Sequence, residues 1–127
     1  PPNGNNLGIP NITIGVDVNG KAVLKPLVGI GTWTFTDSQA YEAVCKAFLA
    51  GYTMVDTAWS YKNQKGVGKA IQDCWKGKRK DLFVMTKIPG GLTQDEVWIY
   101  HHKNLADLNL KYVDHLMTHR PGGQKEE

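Results

Sequence analysis

The stretch Gly51-Tyr-Thr-Met-Val-Asp56-Thr-Ala-Trp-Ser-Tyr61-Lys-Asn-Gln-Lys-Gly-Val-Gly68 decides how the chain folds. Thr53 to Val55 is a short β-branched and apolar run ending at Asp56, the pattern of a strand. Tyr61 follows in a polar loop, and Gly66-Val-Gly-Lys-Ala-Ile71 then takes up helical spacing. Polar side chains at the C-terminal end of a strand, just before a crossover helix, are where parallel α/β folds build active sites. Taken alone, the stretch is equally an ordinary strand-to-helix connection. Its meaning rests on what flanks it.

Upstream, the spacing predicts a helix from about Ser38 to Ala50, capped by Asp37 or Ser38 and closed by Gly51, with Tyr41, Val44, Cys45, Phe48 and Leu49 on its apolar face. Before it, Leu27 to Ile30 reads as a short apolar strand running into Gly31-Thr-Trp33. Ile12 to Val18 and Lys21 to Leu24 form a predicted hairpin ended by Pro26, because Asn19-Gly20 suits the two positive φ angles of a type I′ turn. Residues 1–11 are rich in Pro, Gly and Asn and are expected to be flexible. A start at Pro1 without Met suggests a trimmed terminus.

Downstream, a helix is predicted near 64–75, with Val67, Ala70, Ile71 and Cys74 on one side and Gly77 near its C-cap. Leu82-Phe-Val-Met85 is a continuous apolar strand ending at Thr86-Lys87. Thr93-Gln-Asp-Glu96 is a capping box opening a helix that carries Val97, Tyr100, His101, Leu105 and Leu108, with His101-His102 on its surface. Tyr112 to Thr118 is the last predicted strand; it ends in His119-Arg-Pro121, and 122–127 is a polar tail. Strands alternating with crossover helices imply a parallel sheet with right-handed connections. Asp56, Lys87 and His119 then all fall at strand ends, with Tyr61 just beyond one of them. Strand parity puts Met54 with Asp56, Met85 with Lys87 and Met117 with His119.

Composition excludes several classes. A net charge of +3 is too small for a nucleic-acid surface, and no apolar run approaches membrane-spanning length. Lys76-Gly-Lys-Arg-Lys80 is expected to be a solvated loop, with phosphate contact as its alternative. Cys45 and Cys74 occupy helical core positions, which suggests reduced thiols in a reducing compartment. With no signal-peptide pattern, the expected location is the cytoplasm. Asn11-Ile-Thr13 matches a glycosylation acceptor and is taken as chance.

Gly29-Ile-Gly-Thr-Trp33, Gly51-Tyr52 through Asp56-Thr-Ala and Tyr61 to Asn63, Val67-Gly68 with Ala70-Ile71, Asp81-Leu-Phe-Val with Thr86-Lys87, and Leu110 through Tyr112-Val-Asp114 to His119 and Pro121 resemble the aldo-keto reductases. The match runs in order through nearly all of 12–121. It implies the N-terminal half of a (β/α)8 TIM-type barrel, with an N-terminal hairpin at its base, and NADPH-dependent reduction of small-molecule carbonyls. Tyr61 is implied as the general acid. A phenol holds its proton to about pH 10 on its own, and a neighbouring ammonium favours the ionised form. Lys87 is implied as that ammonium, with Asp56 holding it in place and His119 orienting the carbonyl oxygen. By the same resemblance Gly31, Thr32, Trp33 and Asp56 face the cofactor, while Trp33, Tyr61 and His119 line the substrate pocket. Singly, each of these residues has an ordinary use in packing or capping; their joint placement is what carries the assignment.

Some positions depart from the family pattern. The usual acidic residue after the loop Asn is Gln64, and Arg120 follows His119 where an aromatic is common, which makes an anionic substrate conceivable. His115 shares a strand face with His119 where an apolar residue is usual, but with no third ligand evident no metal is expected. A complete (β/α)8 barrel needs about 250 residues. Hence an alternative stands beside the reductase: a non-catalytic half-barrel acting as a binding or self-associating module. A longer reading frame favours the first, and a native C-terminus at Glu127 the second. With two open sheet edges and Met54, Phe83, Met85 and Met117 facing an unfilled interior, the isolated chain is expected to pair with a second copy or a missing half, or to aggregate.

Overall fold

The computed structural model describes residues 7–122. Its strands form an antiparallel hairpin, β1 (Asn11–Val16) with β2 (Ala22–Pro26), and a parallel sheet of β3 (Ile30–Gly31), β4 (Met54–Asp56), β5 (Phe83–Ile88) and β6 (His115–Thr118). The crossovers are α1 (Asp37–Leu49), α2 (Gln64–Cys74) and α3 (Gln94–Leu108). Sheet order β3-β4-β5-β6 is also chain order. The flexible segment assigned to 1–11 and the tail at 122–127 lie mostly outside the described residues, although Asn11 already pairs with Pro26. No helix among the described residues is long and apolar enough to cross a membrane.

Alternation along the strands divides two apolar clusters. Val55 and Val84 face the helices and meet Val44, Phe48, Val67, Ile71 and Leu108 in the main core. Met54, Phe83 and Met85 face the other way, with Val23 of the hairpin packed on them. That inner face was expected to be open. Instead Met54, Phe83 and Met85 are buried, and of the four only Met117, at 38%, is exposed. The hairpin accounts for the difference. Lys25 of β2 places its ammonium 5.9 Å from the Phe83 ring centre and 3.2 Å from Met85 Sδ. Gly29 also presses its backbone on Met54, where a Cβ would come within 2.7 Å.

Several local expectations need correction. The hairpin loop is not a two-residue type I′ turn: of Asn19 and Gly20 only Gly20 has positive φ. The Asp17 carboxylate takes the amides of Asn19 and Lys21 at 2.8 and 2.9 Å and builds a wider loop. Leu27 and Val28 stay outside the sheet and exposed, so β3 is only two residues long. β6 starts at His115 rather than Tyr112, because Asp114 uses its carboxylate as well as its backbone on Val84 and Tyr112 lies under Arg79. Thr36, one residue upstream of the expected caps, closes the capping box of α1 with Gln39. Asp37 is thereby released to accept the Gly66 amide at 2.8 Å. Leu49 is 77% exposed, being a further hundred degrees around the helix from buried Phe48. α2 ends with Trp75 in an extended conformation, so Gly77 caps nothing.

The cysteines also correct an expectation. Cys45 of α1 and Cys74 of α2 form a disulfide, because the two positions fall on facing helix surfaces with Cα atoms 5.3 Å apart. The expected reduced thiols are overturned, and the cytoplasmic location loses the support it drew from them.

α2 lies very close to both neighbouring helices, and two glycines make that possible. A Cβ on Gly66 would sit 2.1 Å from the Asp37 carbonyl oxygen, and one on Gly68 2.5 Å from that of Leu108. Overpacking costs about 1–3 kcal/mol, and more against backbone that cannot turn away, while Ala improves helix propensity over Gly by about 1 kcal/mol. Gly66→Ala is therefore expected to destabilise the chain by about 2 kcal/mol, seen as a lower urea midpoint. An unchanged or raised midpoint would show that the helices separate at no cost.

A candidate active site at the ends of the parallel strands

The site grows from the sheet register. Asp56, the last residue of β4, pairs with Met85, so Lys87 lies two residues further along β5 on the same inner face. Across β5, Lys87 pairs with Met117 of β6, and His119 follows as that strand ends. The His119 amide donates to the Ile88 carbonyl at 2.8 Å. Tyr61 arrives by a different route, on a short 3-10 turn (Trp59–Tyr61) after β4. That turn is held by the Tyr61 amide on Ala58 O at 3.2 Å and by the Trp59 ring edge-on to Tyr100 of α3 at 4.8 Å.

The structure brings the four sequence-predicted residues Asp56, Tyr61, Lys87 and His119 together. Lys87 is almost buried, with 10% of its side chain exposed. A buried ammonium is tolerated only when its charge and its donors are answered. Lys87 Nζ ion-pairs with Asp56 Oδ1, donates to the Thr57 carbonyl at 2.9 Å and donates to the Tyr61 hydroxyl oxygen at 3.2 Å. An ammonium has three N–H groups, and three acceptors meet it. The phenol oxygen is thus an acceptor toward Lys87, which leaves its own O–H to point elsewhere. The Tyr61 and His119 rings meet edge to face, centres 5.6 Å apart, and His119 Nδ1 lies 3.1 Å from Ser60 Oγ.

The residues before α1 fall into two groups. Thr32 is fully buried, its amide and hydroxyl both donating to the Asp56 carbonyl at 3.2 and 3.0 Å. Gly31 is exposed and Trp33 is 71% exposed. Next to Trp33, Thr34 has φ +72, a conformation that β-branched residues rarely adopt. Asn63 stitches the two loops together, its amide donating to Thr32 O at 2.6 Å and Phe35 O at 3.0 Å.

Behind Lys87 runs a buried amide relay that sequence reasoning missed. Thr86 donates to Gln64 Oε1 at 2.6 Å, Gln64 donates to Asn104 Oδ1 at 2.7 Å, and Asn104 donates to the Lys87 carbonyl at 3.3 Å. It joins the start of α2, the middle of α3 and β5. One signal for it was available: Asn104 is a polar residue in phase with Val97, His101 and Leu108. Thr86 was marked only as the neighbour of Lys87 in the family motif, and nothing in sequence pointed to Ser60.

The remaining histidines differ from expectation in part. His115 is half-buried on the inner face, Nδ1 3.4 Å from Lys25 Nζ. Burial pushes its imidazole below the ordinary value, and the Lys25 charge adds to this against an opposing pull from Asp56. His101 is half-buried rather than on the surface, with Nδ1 enclosed and lacking a partner among the described residues. Burial lowers its pKa as well, with His102 contributing.

The sequence model of the Aldo/keto reductase family matches residues 27–126. The chain belongs to the aldo/keto reductase family. Among curated aldo/keto reductases it is 40% identical over 108 residues to aldo-keto reductase family 1 member A1 of Gallus gallus, covering 81% of this chain and 32% of that protein. It is 36% identical over 104 residues to the NADH-dependent D-xylose reductase of Candida parapsilosis, covering 79% of this chain and 32% of that one. Among solved structures, an aldo/keto reductase from Brucella melitensis superposes with a TM-score of 0.74 at 32% identity, over 87% of this chain and 40% of its own. The chain spans about a third of the length of the curated relatives it matches. Within the (β/α)8 barrel of these aldo/keto reductases, the described residues make up the hairpin, the first four strands and three crossover helices.

Proposed function

We propose that the chain supplies the catalytic half of a carbonyl reductase that converts aldehydes or ketones to alcohols with NADPH. The observation that carries this is the sharing of the Lys87 ammonium between Asp56, Thr57 O and the Tyr61 oxygen. A phenol placed in this way donates its proton outward and leaves the resulting phenolate against a fixed positive charge.

A reduced nicotinamide, when bound, supplies hydride to the carbonyl carbon. The chain's own residues do the rest. The carbonyl oxygen is received between the Tyr61 hydroxyl and the His119 ring. As negative charge builds on that oxygen, Tyr61 passes it a proton, giving the alcohol. Asp56 keeps the ammonium in place so that the phenolate left behind is paired. Tyr61 then regains a proton from water.

The donor set fits the reacting end of such a cofactor. Asp56 keeps 33% of its side chain exposed beside Lys87. In the adjoining loops Thr57 Oγ1 and Asn63 Oδ1 are buried polar atoms without a partner among the described residues. Asp56, Gly31 and Trp33 are the residues proposed to hold it, with buried Thr32 beside it bracing the Asp56 carbonyl, and with Trp33, Tyr61 and His119 lining the carbonyl's pocket. We also propose that the unpaired edges at β3 and β6 are covered, in the working protein, by the remainder of a barrel.

The test is direct. A complete barrel containing this chain, given NADPH and a panel of aldehydes, is expected to consume NADPH and carbonyl in equal amounts. No consumption with any carbonyl would overturn the reading. Faster turnover with NADH would move the cofactor choice and leave the chemistry standing.

A further inference from the structure

Ser60 directly precedes the proposed acid and has no part in the reaction as described so far. Its Oγ lies 3.1 Å from His119 Nδ1. Neither partner sits on a loose element. The turn carrying Ser60 is held by Ala58 O, by Tyr100 and by the Lys87 bond to Tyr61. His119 is held by its amide on Ile88 O and by the edge-to-face Tyr61 ring.

Hydrogen-bond chemistry gives this contact a direction. A neutral imidazole has one N–H and one bare nitrogen, and a hydroxyl bonds to either. Which nitrogen carries the proton is set by the bond that the other one makes. A substrate carbonyl oxygen only accepts, so the nitrogen meeting it must carry the proton. If that nitrogen is Nε2, then Nδ1 is bare and the Ser60 O–H donates to it. In a cationic ring both nitrogens are protonated and Ser60 Oγ accepts instead, with Nε2–H retained. A hydroxyl at position 60 thus serves an Nε2-protonated ring in both charge states, donating to bare Nδ1 or accepting from Nδ1–H. In the neutral ring meeting a carbonyl, a side chain without a hydroxyl would leave bare Nδ1 without its donor.

We propose that Ser60 is a positioning residue, whose hydroxyl bonds to His119 Nδ1 and keeps the imidazole proton on Nε2, facing the carbonyl oxygen. This rests on the reductase reading above, and it assigns part of the carbonyl oxygen's orientation to a residue whose side chain acts through His119 alone.

The experiment is nitrogen NMR of isotope-labelled histidine in a complete barrel containing this chain, at a pH where the ring is neutral, alongside steady-state kinetics. The original sequence and Ser60→Thr should both show His119 protonated on Nε2. Ser60→Ala should show the Nδ1-protonated form appearing, with kcat lower by roughly three- to tenfold, the size of one neutral hydrogen bond. KM should stay within about twofold, since the loss falls in the transition state. An Ser60→Ala spectrum identical to that of the original would overturn the proposal. So would a changed spectrum with unchanged kcat, because the tautomer would then not matter to turnover. Failure of the reductase reading itself shows up differently, as retained turnover when Tyr61 loses its hydroxyl.

Discussion

Tyr61→Phe, in a complete barrel containing this chain, is expected to remove carbonyl reduction while cofactor affinity stays within about twofold of the original. The substitution deletes one oxygen and keeps the ring that packs edge-on against His119. What it removes is the proposed proton donor and the third acceptor of the Lys87 ammonium. General acid catalysis contributes about two to four orders of magnitude, and no second phenol stands within hydrogen-bond reach of Lys87 among the described residues to replace it. Stopped-flow measurement of NADPH oxidation, with fluorescence titration of the cofactor, separates the two effects. Turnover within tenfold of the original would remove Tyr61 from the role of acid.

Lys87→Met should lower turnover by about two to three orders of magnitude, comparable to the loss of one preorganised electrostatic group. It should also destabilise the fold, because Asp56 keeps its charge and loses its partner. Removing one member of a buried pair costs about 3–5 kcal/mol, and with Asp56 33% exposed the cost belongs below that range. A second substitution tells the two consequences apart. Adding Asp56→Asn removes the stranded charge and is expected to recover much of the stability and none of the rate. Rate recovery in the double variant would mean that Lys87 acts on turnover only through the fold.

How legible this was can be judged residue by residue. Asp56 and Lys87 were visible because each ends a short apolar strand, and alternation alone then sends both to the same inner face. His119 was visible in the same way, at the end of the last predicted strand and on the Met117 face, whereas a loop tyrosine such as Tyr61 has no local pattern, and the roles of all four needed the family resemblance. Ser60, Thr86 and Asn104 were hidden because each acts through a partner 22 or more positions away, or across a helix–sheet interface. The disulfide was missed for a related reason. A separation of 29 residues says nothing about whether two helix faces meet. The Asn19-Gly20 loop failed differently: a strong local rule lost to Asp17, whose carboxylate offered the same amides another partner. The buried methionines show the same limit on a larger scale, because the hairpin that covers them is remote from them in the chain.

The order of the strands bears on how such a chain comes to be folded. Every parallel pair here joins a strand to the one made just before it, so each rung requires closing only one crossover. The sheet can therefore grow in the direction of synthesis, one unit at a time, with no early strand waiting for a distant mate. The exception is β3, whose outer edge has no neighbour among the described residues. In a closed barrel its mate is the last strand to be made, the most remote pairing in the molecule. Closure entropy rises only with the logarithm of the intervening length, so that final step is slow to find more than costly to hold. Until it is found, nascent chains present their earliest-made edge for longest, which makes the two residues of β3, so short and so close to the hairpin, a small target for mispairing.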